Sequence, residues 1–444
     1  MILTAGTKVN TQYHGPLTIE KRLGGGGQGE VFLAYDSKNA RFVVKWYFKE
    51  QATEAQKRAI SDLISKQPKG EEGKRFIWPL DIVTASDNTA SDFFGYLMLL
   101  IDRKRFSELG DVQSKRMPQP DIATLCKICA QAAQSYRQLH LAGYCYRDIS
   151  AGNLMFDPKI GDVLICDNDN VGVNNTTESQ VLGTWEYMAP EVILKASKPS
   201  TLTDLHSLAV LFFNMWMWHH PFHGDMESKI RSWDIPAKRK IYAEEPVFIF
   251  DPHNNANYPN DPDYKTVRTR WQACPPLLKD IFTAAFVDGL RSPEKRPREL
   301  DWFNCFARMK DNVIGCPSCG ADNIWDPAIS KFTCWNKNCG KQIPLPPRLI
   351  LTTQKGAFSF ILKRDSVISK YYENGSMEDL KHNIAVVVQN PQNPSVWGLR
   401  NLTGASWQAT MLDGKVQEVP PQRAVPLVPG IKFDMGYGKG EIQG

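Results

Sequence analysis

Over the first hundred residues the polarity pattern predicts strands around one helix. Residues 17–23 and 30–36 alternate apolar and polar positions on either side of a glycine run at 24–29, the period of two expected of half-buried strands. Residues 40–48, rich in β-branched and aromatic side chains, predict another strand. Residues 53–67 have helical spacing with Thr53 as N-cap, and the apolar run 93–101 reads as a buried strand. Together these elements occupy residues 15 to about 110. From about 120 to 312 the pattern turns helical, with a long helix over 121–143 ending at Gly143. A second helix, 204–218, is apolar on all sides and should be buried. Pro, Asn and Asp mark 235–270 as an irregular insertion. Residues 313–343 carry four cysteines and little periodicity, 344–347 (Pro-Leu-Pro-Pro) read as a stiff linker, and the short apolar runs from 349 onward predict a small β domain.

Composition narrows the classes. At ~150 residues per domain, 444 residues suggest about three domains. Hydrophobic residues at 42% and charged residues at 23% exclude extensive disorder or coiled coil. A net charge of +5 is too small for this length to argue for a nucleic-acid or membrane-surface protein. The chain has no apolar run of about 18 residues and its start lacks a signal peptide's basic and apolar regions, so a cytoplasmic protein is expected. In that compartment ten cysteines are expected to be thiols or metal ligands.

Several short motifs carry chemistry. Gly24, Gly26, Gly29 and Val31 fit G-x-G-x-x-G-x-V between two predicted strands, where glycine lets backbone N–H groups approach phosphates. Lys45 lies about twenty residues on, inside an apolar strand. Tyr146-Arg147-Asp148, with Asn153 five residues after the aspartate, follows the pattern H-R-D-L-x-x-x-N with Tyr for His. A hydrophobic run ends in Asp167-Asn168-Asp169, and Gly183-Thr184-Trp185-Glu186-Tyr187-Met188-Ala189-Pro190-Glu191 follows.

On these motifs, residues 15–312 resemble a eukaryotic-type Ser/Thr protein kinase. The resemblance implies an α+β, bilobal kinase fold over 1–312, with an N-lobe to about 101 and a C-lobe over 102–312. It implies that the glycine loop covers the phosphates of ATP and Lys45 holds the α/β-phosphates. Asp148 would orient the substrate hydroxyl and accept its proton, and Asn153 and Asp167 would hold Mg²⁺ or Mn²⁺. Met98 falls at the gatekeeper position before the adenine hinge. Residues 170–187 correspond to the activation loop, with Thr176, Thr177 and Ser179 as candidate phosphosites and Arg147 as a phosphate receiver. Asp204 corresponds to the aspartate that braces the catalytic loop, and Arg296 to the partner of Glu191.

Three departures accompany the resemblance. Ser150 stands where Ser/Thr kinases carry a lysine, and Gly152 removes the tyrosine-kinase arginine as well. Asn168 replaces the phenylalanine of D-F-G, and Asp169 adds a carboxylate that could ligate metal. No glutamate is identifiable as the partner of Lys45; Glu54, Asp62 and Gln56 are the candidates at that part of the chain.

Cys316 and Cys319, then Cys334 and Cys339, form two pairs in turns ending in glycine, the arrangement of a structural zinc ribbon over 313–343. Cys126 and Cys129 share the two-residue gap but lie in the long helix, where core filling is expected. Cys166 beside Asp167 is the thiol nearest the nucleotide site, and a buried, inert sulfur is expected there. Residues 349–444 resemble a forkhead-associated (FHA-like) all-β sandwich, carried by the runs at 397–402, 407–414 and 428–436, without its phosphothreonine-binding Gly-Arg and Ser-x-x-His positions. The whole arrangement resembles the bacterial kinases of tellurite-resistance-associated phosphorylation triads. That resemblance implies a metal-dependent protein phosphatase and a von Willebrand A-domain protein as partners. The readings are therefore an active Ser/Thr kinase with docking modules, an ATP-binding pseudokinase scaffold, or, on Lys331, Lys337, Lys341 and Trp335 alone, a zinc-dependent nucleic-acid binder.

Overall fold

The computed structural model describes residues 3–68, 70–86, 93–174, 183–329 and 331–444. The chain divides into two units, one of residues 1–271 and 279–303, the other of residues 272–278 and 304–444.

The first unit opens with six strands: β1 (Lys8–Thr11), β2 (Leu17–Gly25), β3 (Gly29–Tyr35), β4 (Arg41–Tyr47), β5 (Asp81–Ala85) and β6 (Phe94–Leu99). They close into a barrel in the order β1-β2-β3-β4-β6-β5. β1 lies ahead of residue 15, where strands were expected to begin. Four residues are too few for a visible period, yet Val9 is fully buried and β1 closes the barrel against β5. Alternation places Leu17, Ile19, Phe32, Ala34, Val44 and Trp46 in one core. Between β4 and β5 runs helix α1 (Glu54–Ser65), capped as expected by the Thr53 side chain, which accepts from the Gln56 N–H.

The helical part follows. Helix α2 (Ile122–Leu141) is capped by Asp121 and ends before Gly143, whose φ of +86° is one that L-residues rarely adopt. Cys126 and Cys129 lie in its fully buried core face. A short antiparallel pair, β7 (Leu154–Phe156) and β8 (Val163–Ile165), follows it. Helix α3 (Thr201–Met217) is buried on nearly all sides. The stretch 235–270 is less irregular than its composition predicts. Asp234 caps a helix at Ile235–Arg239 with Pro236 in its first turn, a five-residue π-helical turn follows at Lys240–Glu244, and α4 begins at Lys265 (Lys265–Ala273).

In the second unit, β9 (Val313–Gly315) pairs with β10 (Asp322–Ile324) in the cysteine-bearing segment. Leu345, in the proline-rich stretch, packs on the cluster of Cys316, Trp325, Phe332, Cys334, Ile343 and Ile361. Ten further strands follow: β11 (Arg348–Thr353), β12 (Gly356–Ile361), β13 (Val367–Ser369), β14 (Asn383–Gln389), β15 (Trp397–Asn401), β16 (Trp407–Thr410), β17 (Val416–Val419), β18 (Ala424–Pro426), β19 (Lys432–Asp434) and β20 (Gly438–Gln443). They form a six-stranded sheet ordered β12-β11-β20-β19-β16-β17 and a four-stranded sheet ordered β13-β14-β15-β18. All neighbours are antiparallel, and Leu349, Leu351 and Ile442 of one sheet and Ala385, Val387 and Leu399 of the other are buried.

Candidate active site

The glycine loop joins β2 to β3, closed by the Gly26 N–H donating to the Gly29 carbonyl at 2.9 Å. Two of its glycines serve opposite ends. A Cβ on Gly29 would lie 2.2 Å from the Trp46 carbonyl oxygen, so close strand packing requires glycine there, whereas a Cβ on Gly26 would meet open space. Val31 pairs across the sheet with Lys45, and Lys45 with Tyr96 of β6. Met98 pairs with Val43 and is half-buried, while Leu99 and Leu100, at the end of the same apolar run, are exposed.

Lys45 is 6% exposed. Its ammonium lies 2.6 Å from Asp167 Oδ1 and 2.8 Å from Asp169 Oδ2, and donates to Gln28 Oε1 at 3.1 Å. Burial opposes its charge, but the Asp169 and Asp167 carboxylates outweigh that and hold its pKa above the ordinary lysine value. Burial, then repulsion from Asp169, pushes Asp167 above the usual carboxylate range, with Lys45 opposing. Asp167 has φ +56°, a left-handed conformation that costs a non-glycine residue energy and is characteristic of functional loops. Asn168, 1% exposed, anchors this turn by donating to the Ile77 and Ile165 carbonyls, both at 2.9 Å.

Asp148 accepts at both oxygens. Thr184 donates to Oδ1 from its N–H at 2.9 Å and its hydroxyl at 2.8 Å, and Asn153 Nδ2 donates to Oδ2 at 3.1 Å. The Asn153 carbonyl in turn accepts from the Cys166 N–H at 2.9 Å, tying the loop of residues 146–153 to the Asp167 turn. Asp204, on α3, accepts from the N–H groups of Tyr146 at 2.5 Å and Arg147 at 3.0 Å. Cys166 is partly buried, and desolvation pushes its thiol up to about 12, which disfavours the reactive thiolate.

The structure thus joins Lys45, Asp148, Asn153 and Asp167 in one run of contacts, which Gln28 of the glycine loop meets at Lys45. Thr176, Thr177 and Ser179 lie outside the described residues. Sequence reasoning missed Gln28, which bridges Lys45 and Asn170, and Tyr47, whose hydroxyl donates to Asp169 Oδ2 at 2.6 Å. The only advance signal was the second carboxylate of the Asp-Asn-Asp run. Gln56 contacts Tyr47 instead of Lys45, and Glu54 and Asp62 are exposed.

A second constellation lies in the other unit. The sulfurs of Cys316, Cys319, Cys334 and Cys339 all lie within 4.8 Å of one another. Cys316 and Cys339 are 3.8 Å apart, and Cys319 and Cys334 are 3.6 Å apart. A tetrahedron with metal–sulfur bonds of about 2.3 Å has edges of about 3.8 Å, so the donor set fits a zinc-sized ion.

A comparison with protein families matches residues 17–284 to the protein kinase domain. The serine/threonine-protein kinase sck2 of Schizosaccharomyces pombe is 34% identical over 100 residues, 22% of this chain and 15% of that protein. Protein kinase C-like 2 of the same organism is 24% identical over 290 residues, 60% of this chain and 25% of that protein. The serine/threonine-protein kinase pkn3 of Myxococcus xanthus is 24% identical over 218 residues, 47% of this chain and 38% of that protein. The chain therefore spans well under half the length of these relatives. Among the described residues no helix is long and apolar enough to cross a membrane.

Proposed function

Because the chain belongs to the protein kinase domain family, we propose that it is a Ser/Thr protein kinase that transfers the ATP γ-phosphoryl group to protein hydroxyls, its own included. The observation that carries this reading is the run of contacts that joins Lys45 to Asp167, Asp167 through Cys166 to Asn153, and Asn153 to Asp148. The glycine loop, with Gly24, Gly26 and Gly29 and with Val31 beneath it, covers ATP, Met98 stands at the adenine end, and Lys45 orients the phosphates. Asp148, steadied by Thr184 and Asn153, aligns the attacking hydroxyl and takes its proton. Asn153 and Asp167 are the residues that would hold Mg²⁺, which when bound neutralises phosphate charge. Relatives named as serine/threonine-protein kinases support the hydroxyl specificity.

In the second unit the four cysteines would hold a structural Zn²⁺, since a closed thiolate site leaves no position for catalysis. The two antiparallel sheets are compatible with an FHA-like sandwich, read here as a docking module. Its partners would be a metal-dependent protein phosphatase and a von Willebrand A-domain protein, in the cytoplasm, as the resemblance to the tellurite-resistance triads implies.

The second reading, an ATP-binding pseudokinase scaffold, is favoured by Ser150, which leaves no lysine two residues beyond Asp148. Mass spectrometry of the protein incubated with Mg·ATP, beside Asp148→Asn, separates the two. Phosphate on Thr176, Thr177, Ser179 or a generic substrate in the wild type alone is the expected result. Bound nucleotide without any transfer would replace the kinase by the scaffold.

A further inference from the structure

The Lys45 ammonium has three polar neighbours: it donates to Asp167 and Gln28 and forms an ion pair with Asp169 at 2.8 Å. None of the three comes from α1, although in protein kinases a glutamate on that helix pairs with the lysine. The two carboxylates of α1, Glu54 and Asp62, face solvent, and Gln56 donates to the Tyr47 hydroxyl at 3.2 Å. Asp167 and Asp169 are not equivalent. Asp167 is the residue assigned above to the metal, and a carboxylate drawn onto a divalent cation gives up much of its hold on a lysine. The Asp169 side chain is fully buried, and its Oδ2 is shared between Lys45 and the Tyr47 hydroxyl.

We propose that Asp169 is the positioning residue of Lys45, supplying from the loop after β8 the anion that other kinases place on the helix. This rests on the kinase reading and adds the regulation of its site. Lys45 would keep a fixed partner were Asp167 to hold the metal. Among the hydrogen bonds of the described residues, helix α1 is linked to the Lys45–Asp169 pair through two neutral side chains, Gln56 donating to Tyr47 and Tyr47 to Asp169. An outward shift of α1 therefore leaves the Lys45–Asp169 pair intact, and activity does not depend on a helix-borne ion pair.

The test is steady-state phosphoryl transfer across a range of Mg²⁺ concentrations, with thermal melts, for Asp169→Asn, Tyr47→Phe and the double variant Glu54→Gln/Asp62→Asn. Misplacing a phosphate-orienting group costs on the order of 100-fold, so kcat of Asp169→Asn should fall by about that factor. Its KM for ATP should move less than about fivefold, since the loss falls on the transition state, and extra Mg²⁺ should not restore the rate. Tyr47→Phe should lower kcat in the same direction, and the α1 double variant should match the wild type. The proposal is overturned if Asp169→Asn melts lower yet keeps its kcat, if Mg²⁺ restores it, or if the α1 double variant loses as much. A wild type that transfers no phosphate sinks the kinase reading instead. The positioning role is then read from ATP binding, where Asp169→Asn should bind several-fold more weakly and an unchanged affinity overturns it.

Discussion

Arg296 grips Glu191 with two parallel hydrogen bonds, Nη1 to Oε1 at 2.7 Å and Nη2 to Oε2 at 2.9 Å, across 105 residues of sequence. Arg296 is 2% exposed, and two further donors of its guanidinium go to the Gly289 carbonyl at 2.9 Å and the Leu202 carbonyl at 2.8 Å. A Cβ on Gly289 would lie 2.8 Å from Arg296 Cγ, so the glycine makes room for the clasp. Glu191 closes the Gly183–Glu191 run, whose Thr184 donates to Asp148, so this pair anchors the far end of the segment that contacts Asp148.

Removing one partner of a buried, hydrogen-bonded ion pair leaves the other charge stranded, at a cost of about 3 kcal/mol or more. Glu191→Gln should therefore destabilise the first unit by about that amount. Urea denaturation followed by tryptophan fluorescence measures it, and a loss below about 1 kcal/mol would show that the pair is replaceable.

His140 carries a pH dependence. It sits between Asp204, at 3.0 Å, and Glu299, with both ring nitrogens engaged. Burial alone would lower its pKa, but hydrogen bonds to Asp204 and Glu299 outweigh burial and raise it to about 9. The folded value lies above the unfolded one, near 6.5, so the stabilisation is complete below pH ~6.5 and is lost as pH rises through about 9. The size is about 3 kcal/mol for a shift of this order. Denaturation at pH 6 and pH 9.5 should show this loss in the wild type and little of it in His140→Gln. Parallel pH profiles in the two proteins would refute the assignment.

Much of this site was legible in order along the chain. The glycine loop, Lys45, Asp148, Asn153, Asp167, Glu191 and Arg296 each sit in a short motif whose spacing reflects local backbone geometry, and in the structure Lys45 meets Asp167, Asn153 meets Asp148 and Arg296 meets Glu191. The contact between Lys45 and Asp169 was not legible, because Asp169 arrives from 124 positions away and follows a left-handed turn at Asp167 that no local pattern announces. Strand β1 was hidden by its length, and the short helices of 235–270 by a composition that also serves caps and turns. In the second unit the cysteine spacing anticipated the cluster. The alternation in 349–444 gave strands, but pairing β11 with β20 joins the two ends of that region, a long-range choice that alternation leaves open.

The Asp167 turn is held by polar contacts where phenylalanine packing would be usual. Asn168 donates to the Ile77 carbonyl and to the Ile165 carbonyl, and the latter also accepts from the Ile77 N–H at 2.8 Å. Asn168→Leu fills similar space but strips the Ile77 carbonyl of its donor, for which about 1–3 kcal/mol is expected. The same change should loosen the turn, visible as faster backbone hydrogen exchange at 165–170. Unchanged exchange together with wild-type stability would mean that shape alone holds the turn.

Metal removal should act locally. Cys316, Cys334, Trp325, Phe332 and Ile343 form a small cluster with Ile361 of β12, while the two sheets bury their own apolar faces at Leu349, Leu351, Ala385, Val387 and Leu399. In so short a segment metal–thiolate bonds would supply much of the ordering free energy, of order 10 kcal/mol in isolated zinc peptides. Elemental analysis should find one zinc per chain, and Cys319→Ser should lose it. Hydrogen exchange with and without a chelator should then show protection lost over 313–343 and kept in β11, β14 and β20. Protection lost throughout both sheets would mean that the ion organises the whole unit, and full protection without metal would mean that the four thiols hold the segment by packing alone.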